Sequence, residues 1–96
     1  MSTRPTAAER RWLDRVAQSP CMVSLLGYGA ECSGGRELHH LREDEGAAMR
    51  AQHTLVVSLC WMHHVGALGI HRPKAFYTRT KLSELDLLAK QIEVLA

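Results

Sequence analysis

Apolar residues recur at helical spacing near the amino-terminal end of the chain. Three of them fall on one face of a helix: Trp12, Leu13 and Val16. The sequence Thr6-Ala-Ala-Glu9 has the pattern of a capping box, in which a hydroxyl and a carboxylate bind the free amide groups of a first helical turn. The spacing therefore predicts a helix over residues 6–18, which Pro20 ends.

The middle of the chain alternates between short apolar runs and polar or glycine-bearing stretches. The apolar run 21–26 predicts a knuckle or a strand, and the glycines of residues 27–35 predict a loop. Residues 37–41 and 54–59 are expected to form two strands, the second because of its valine and leucine content. The acidic, glycine-bearing stretch 42–52 would connect them.

Glycine and proline divide the rest of the chain into helices. A helix is predicted over residues 60–65, which Gly66 and Gly69 keep short, and Pro73 opens another that runs to about residue 80. Ser83 is the expected cap of the last helix. Four apolar residues then repeat at helical spacing and are expected to pack in the core: Leu85, Leu88, Ile92 and Leu95.

Length and composition agree with one small α+β domain over residues 1–96. A domain of this size buries only about 60–70% of the surface of its unfolded chain, so a structural metal would add considerably to its stability. Three cysteines at uneven spacing do not suggest a disulfide framework, and no charged-then-apolar leader is present, so we expect a reducing cytoplasm. The apolar runs are too short to cross a bilayer, and no membrane partner is expected.

Histidine and cysteine carry the candidate chemistry. Five of the six histidines stand in three short motifs: His39-His40, Cys60-Trp-Met-His63-His64 and Gly69-Ile-His71. Imidazole and thiolate bind zinc and similar ions tightly, and imidazole also shuttles protons near neutral pH. The motifs therefore predict a metal-dependent site.

Cys60 and His63 have the spacing of half of a structural zinc site, because Cys-x-x-His lets both side chains of a turn reach one ion. We expect the other half at Cys21-Met-Val-Ser24. Ser24 stands where a second cysteine would complete the site, and its hydroxyl is a poor zinc ligand. Cys32, in the glycine-rich loop, or water would then complete the tetrahedron.

The order of these motifs resembles that of the HNH, or His-Me finger, endonucleases. Within that group it is most similar to the small phage-type nucleases of the recombination enhancement function kind. The resemblance runs from about Trp12 to the carboxyl end and includes residues 26–29, 38–42, 58–60 and 83–88. In that family a β-hairpin and a short helix, the ββα-metal finger, hold one divalent ion against the scissile phosphate. The resemblance implies such a finger at about residues 37–72, flanked by amino- and carboxyl-terminal helices, with DNA as the substrate and a recombinase filament as a further partner.

Carried over by position, the resemblance makes His40 the general base and His39 its metal-binding neighbour. His64 and His71 would be the second and third ligands, and His53 is the candidate for the central residue of the motif. Three neutral imidazoles would leave coordination positions open to phosphate and water. They admit Mg²⁺, Mn²⁺, Ni²⁺ or Zn²⁺ as the catalytic ion.

Basic residues are unevenly distributed, although the net charge is only +2 with neutral histidines. One set lies on the first predicted helix: Arg10, Arg11 and Arg15. The second set comes after the histidine motifs: Arg72, Lys74, Arg79 and Lys81. Solvated helix faces explain either set equally well, but the second set is next to the candidate site, where phosphate contacts would position DNA. We therefore expect Arg72, Lys74 and Arg79 to bind the DNA backbone.

Two other classes of protein agree with the same residues. The first is a nonhydrolytic, zinc-stabilised domain that binds DNA or a protein, in which cysteine and histidine only stabilise the fold by binding zinc. It leaves His40 without a role, and the chain has more candidate ligands than one zinc ion takes. The second is a metal hydrolase acting on another phosphoester or a small molecule, which needs a deep pocket that we do not expect in so small a domain.

Overall fold

A computed structural model describes residues 4–42 and 53–96. Helices and strands within these ranges follow in this order: α1 (Ala7–Ala17), β1 (Arg36–His40), β2 (Val56–Cys60), α2 (Trp61–His64), α3 (Pro73–Thr80) and α4 (Glu84–Leu95). The strands pair antiparallel in a two-stranded sheet, with His39 opposite Val57. The result is a small compact domain of the predicted α+β class. Of the predicted connection 42–52, the part after Arg42 lies outside the described residues.

Both predicted helix caps are confirmed. The Thr6 hydroxyl accepts a hydrogen bond from the Glu9 amide (3.1 Å), and the Thr6 amide donates to the Glu9 carboxylate (2.7 Å). Ser83 caps α4 by the same reciprocal arrangement with Asp86. Because each box satisfies amide groups that a first helical turn leaves free, α1 and α4 begin where the sequence predicts.

Several predicted boundaries in the middle of the chain are displaced. The strands span residues 36–40 and 56–60, and Cys60 ends the second strand and caps α2. The strand alternative for residues 21–26 is wrong, because this segment is helical and continues into a widened turn over Ser24–Tyr28. Local hydrogen bonds to the Cys21 carbonyl satisfy the backbone there without a neighbouring strand.

The core lies between β2 and the helices on either side of it. All five residues of β2 are buried. Large apolar side chains that are almost fully buried surround the strand: Met22, Val23, Phe76 and Leu87. Among the described residues, no helix combines the length and the apolar character needed to cross a membrane.

The prediction for the buried face of α4 is correct only in part. Leu88 packs against the core, but Leu85 and Ile92 are each 49% exposed, whereas Leu87 and Gln91 are fully buried. Gln91 is held in the core by polar partners, because its side-chain oxygen accepts from the Ser58 amide (2.9 Å) and its side-chain nitrogen donates to the Ser19 hydroxyl (3.0 Å). Satisfied hydrogen bonds therefore allow a polar residue to share the inward face of α4 with Leu87 and Leu88.

Candidate metal centres

Cys21, Cys32, Cys60 and His63 converge at one end of the sheet, and we call these four residues the Cys group. Their ligand atoms all lie within 4.8 Å of one another. His63 Nδ1 lies 3.4 Å from the sulfurs of Cys21 and Cys60 and 3.7 Å from that of Cys32. A sulfur and a nitrogen bound to one tetrahedral zinc ion are about 3.6 Å apart, so the four atoms fit one such ion.

Local backbone geometry brings the ligands of the Cys group together. Cys60 caps α2, where its sulfur accepts from the His63 amide. The loop that carries Cys32 packs against this turn, because the Trp61 amide donates to the Gly35 carbonyl (2.8 Å). Gly34 makes this approach possible: its φ is +81°, and a Cβ there would lie 2.5 Å from the Cβ of Trp61.

His63 is oriented by an acidic residue that sequence reasoning missed. Its Nε2 lies 2.9 Å from the Glu31 carboxylate, so Nδ1 faces the sulfurs. Glu31 also accepts two hydrogen bonds from Arg79, at 2.7 and 2.8 Å. The hydrogen bond to His63, and then those to Arg79, hold the pKa of Glu31 below its usual range. A carboxylate behind a histidine ligand fixes its tautomer and raises its basicity toward a metal.

The three thiols differ in how readily they ionise. Burial raises the pKa of Cys21, and burial together with the neighbouring thiols raises that of Cys32 to about 12. Burial acts on Cys60 in the same direction, but backbone hydrogen bonds from Ser33 and His63 outweigh it and lower the pKa. Cys60 is therefore the first thiolate of the set, and a metal ion that binds all three sulfurs must displace protons from the other two.

A second set of ligands, His39, His64 and His71, lies beside the first, and we call it the His group. Its ring centroids are 5.2 Å apart for His39 and His64, 5.3 Å for His39 and His71, and 4.7 Å for His64 and His71. The Nε2 atoms of His64 and His71 face each other at 3.1 Å. Two nitrogens on one ion are separated by about 3.3 Å in tetrahedral and about 2.9 Å in octahedral coordination, so this distance suits either geometry.

The chain turns back on itself after α2, and this turn brings His71 next to His64. The His71 amide donates to the His64 carbonyl (3.2 Å), and the Ile70 amide donates to that of His63 (2.8 Å). Gly69 lies against the same backbone, where a Cβ would be 2.3 Å from the His64 carbonyl oxygen. A side chain at this position would separate His64 from His71.

Carboxylates also stand behind the His group. Glu37 lies 2.6 Å from His64 Nδ1, which leaves His64 Nε2 directed at His71. Glu84 pairs with His39 Nε2 and accepts from the Arg42 amide (2.8 Å). Sequence reasoning missed both, although Glu37 shares a strand face with His39 at a spacing of two residues, which is a usable signal. Glu84 is buried next to a helix cap and gives no such signal.

His71 favours the protonation state that binds metals. Burial lowers its pKa, and the charges of His64, His39 and Arg42 lower it further, while Glu84 opposes them. A neutral imidazole has the free lone pair that a metal ion requires, whereas an imidazolium has none. The electrostatics at His71 therefore favour metal binding over protonation.

The remaining predicted residues lie outside both groups. His40 is exposed on β1, and its ring centroid is 6.0 Å from that of His53. Arg72 and Lys74 are exposed at the start of α3. Arg79 is engaged by Glu31 and also donates to the Leu68 carbonyl (3.2 Å). Ser24 lies outside the Cys group, and its hydroxyl donates to the Cys21 carbonyl (2.5 Å).

Both groups are therefore positioned to bind a metal ion, and α2 with its capping residue Cys60 contributes ligands to each of them. A cleft of about 590 Å³ opens beside His71 and Glu84. No protein-family model, curated protein or solved structure matches the chain.

Proposed function

We propose that the chain is a metal-dependent DNA endonuclease of the HNH kind, with β1, β2 and α2 as its ββα-metal finger. The observation that carries the proposal is the convergence of His39, His64 and His71, which come from β1, from α2 and from the loop after it. This set is separate from a second, complete ligand set of three cysteines and one histidine. A purely structural protein has no need of the additional set of imidazoles.

The His group suits an ion that acts on a phosphodiester. Imidazole ligands are neutral, so a bound divalent cation keeps its full charge for the phosphate oxygens. Three protein ligands also leave coordination positions for phosphate and water, as catalytic sites require. The ion, when bound, supplies electrostatic stabilisation of the charge that develops on the phosphate and on the leaving oxygen. Mg²⁺, Mn²⁺, Ni²⁺ and Zn²⁺ are the candidates, and Zn²⁺ is proposed for the Cys group.

His40 is proposed as the general base that takes the proton of the attacking water. It follows the metal ligand His39 in the chain and is exposed, so water and substrate can reach it. The ring of His53 lies beside it, in the place proposed for the central residue of the motif. Imidazole is the usual proton shuttle near neutral pH, which suits this role.

DNA contacts are proposed at the start of α3. Arg72 and Lys74 directly follow His71 and are exposed, so their charges can meet phosphates on either side of the bond to be cut. The sequence predicts the same role for Arg79. Its guanidinium is engaged by Glu31, and support for a DNA contact is therefore stronger for the first two residues.

The decisive experiment is incubation of the purified chain with supercoiled plasmid and each candidate metal, beside His40→Ala. We expect metal-dependent nicking that the substitution abolishes, while melting temperature and zinc content stay unchanged because an exposed base is not needed for folding. A recombinase filament is supplied in a parallel series. Equal behaviour of wild type and variant in every series would refute the nuclease proposal.

The Cys group favours a second candidate function, a nonhydrolytic zinc-stabilised domain that binds DNA or a protein. Its four ligands satisfy one tetrahedral zinc ion without help from the His group. Metal stoichiometry separates the two proposals. A single tightly bound zinc, no second metal up to millimolar concentration and no nicking would favour the binding domain.

A further inference from the structure

The cleft beside the His group is lined by residues of two kinds. His71 and Glu84 belong to or contact the His group. Pro73, Tyr77 and Leu82 come from α3 and the turn after it. The volume of about 590 Å³ is in the range of sites that enclose a small organic molecule. A ligand held here would be in contact with the candidate catalytic residues.

Tyr77 gives the cleft an aromatic surface. Its side chain is 52% exposed, although large apolar rings in so small a domain are generally needed for the core. The Lys81 ammonium lies over the ring, 5.8 Å from its centroid, and Lys81 is itself exposed. Exposed aromatic rings next to cationic side chains are the surfaces on which proteins stack nucleobases beside a charged backbone.

The charges around the cleft complement a polyanion. Arg42 lines the cleft and is exposed. Arg72 and Lys74 flank Pro73 in the chain and are exposed. Glu84 contributes the one carboxylate among the lining residues of the described chain, and it is paired with His39. A phosphate chain bound at the cleft would therefore meet the cationic side chain of Arg42.

We propose that the cleft binds an unpaired nucleobase of a DNA strand, stacked on Tyr77, while the neighbouring phosphate lies at the His group. This inference rests on the proposed nuclease function and adds a substrate class to it, which is single-stranded or locally unpaired DNA. A base inside a duplex is covered by its neighbours on both faces, so it must leave the stack before its face can meet Tyr77.

The test measures binding without cleavage. The zinc-loaded chain, with no other metal added, is titrated with a labelled oligothymidylate, with an abasic strand of the same length and with a duplex. Tyr77→Ala should weaken binding of the oligothymidylate by about 5- to 150-fold, the range that follows from measured base stacking on aromatic side chains. Tyr77→Phe should bind like wild type, because the ring stacks and the hydroxyl does not. Binding of the abasic strand and of the duplex should not change in either variant.

Ile92→Ala is the matched control, because Ile92 has a similar exposure of 49% but lies on α4 outside the cleft. It should leave all three affinities unchanged. The proposal is overturned if Tyr77→Ala binds the oligothymidylate like wild type, if it loses the abasic strand or the duplex to the same extent, or if wild type does not prefer the oligothymidylate to the abasic strand.

Failure of this inference and failure of the nuclease proposal are distinguishable. Plasmid nicking that depends on His40, without any effect of Tyr77 on strand binding, keeps the nuclease and removes the nucleobase site. Tyr77-dependent binding of single strands without nicking under any metal keeps the nucleobase site and makes the chain a binding domain.

Discussion

The Cys group and the His group lie next to each other, but only the Cys group has the four ligands that a tetrahedral metal ion needs. Three of the four ligands in the Cys group are buried and Cys32 is exposed, and the set is complete with four ligands. The His group has three ligands among the described residues, and a cleft opens beside it. Structural zinc sites have four protein ligands and catalytic sites keep a position open, so we propose that a metal ion in the Cys group stabilises the fold and that one in the His group is catalytic.

One short helix serves both groups. His63 and His64 are adjacent on α2, and one residue of an α-helix rotates by about 100°, which sends the two rings in different directions. A metal ion in the Cys group would fix α2 and thereby the direction of His64. Metal binding in the Cys group therefore stabilises the geometry of the His group.

The largest effect is expected from removing a ligand of the Cys group. Cys60→Ser removes a ligand and the first thiolate, and structural zinc in small domains contributes on the order of 10 kcal/mol. We expect the variant to lose its zinc and its cooperative melting transition. His64→Ala, the matched change in the His group, should keep both. Metal analysis and thermal unfolding followed by circular dichroism measure the difference. A Cys60→Ser variant that melts like wild type would show that a metal ion in the Cys group does not stabilise the fold.

A smaller effect is expected from substituting Gly69, which packs against the backbone of His64. In Gly69→Ala the new methyl group would meet the His64 carbonyl, and such overpacking costs about 1–3 kcal/mol. We expect a lower melting temperature and weaker metal binding at the His group, with zinc retained in the Cys group. Gly35→Ala is the control, because a Cβ at Gly35 meets no atom within 4 Å. Equal melting temperatures and metal affinities for the two variants would contradict the role assigned to Gly69.

Substitutions of the carboxylates that contact His64 and His63 compare the two groups more directly. Glu37→Gln removes the acceptor charge behind His64, and the loss of such a partner weakens metal binding by about 10–100-fold. Glu31→Gln does the same behind His63. We expect the first change to raise the metal concentration needed for nicking at an unchanged melting temperature, and the second to lower the melting temperature. Metal titrations of nicking and thermal unfolding check this. Identical profiles for the two variants would mean that the groups are not functionally separate.

The sequence predicts the candidate metal ligands better than it predicts the residues that hydrogen-bond to them. The spacing of Cys60 and His63 is enough to assign them to one site, whereas the family resemblance predicts that His39, His64 and His71 share another, and the structure brings both sets together. Cys32 is the predicted substitute for the position of Ser24, and the turn at Gly34 brings it into the Cys group. Local geometry, which is encoded in neighbouring residues, accounts for these successes.

The residues that sequence reasoning missed depend on contacts distant in sequence. Glu84 is 45 positions from His39, and Gln91 is 33 positions from Ser58. Their burial reflects hydrogen-bond partners that no local pattern reveals, and the apolar repeat accordingly predicts Leu88 at the core but misses Gln91. Single-sequence patterns therefore locate the candidate chemistry but not the polar network that holds it.

The smallest effect is expected at the surface next to the His group. In a His40→Ala background, which prevents cleavage, Arg72→Ala combined with Lys74→Ala should weaken binding of all DNA sequences alike. Each phosphate contact removed should reduce the slope of log affinity against log salt concentration by about 0.9 for duplex DNA. Fluorescence anisotropy over a series of salt concentrations measures the slope.

Arg79→Ala in the same His40→Ala background is the matched control, because it removes one cation whose charge is already engaged by Glu31 behind the Cys group. It should lower the melting temperature, since Glu31 then loses two hydrogen bonds beside His63, and it should leave the salt slope unchanged. The reverse pattern, an altered slope for Arg79→Ala and none for the double variant, would assign the DNA contact to Arg79. An unaltered slope in both would move the DNA-facing surface to α1, where Arg10 and Arg11 are exposed.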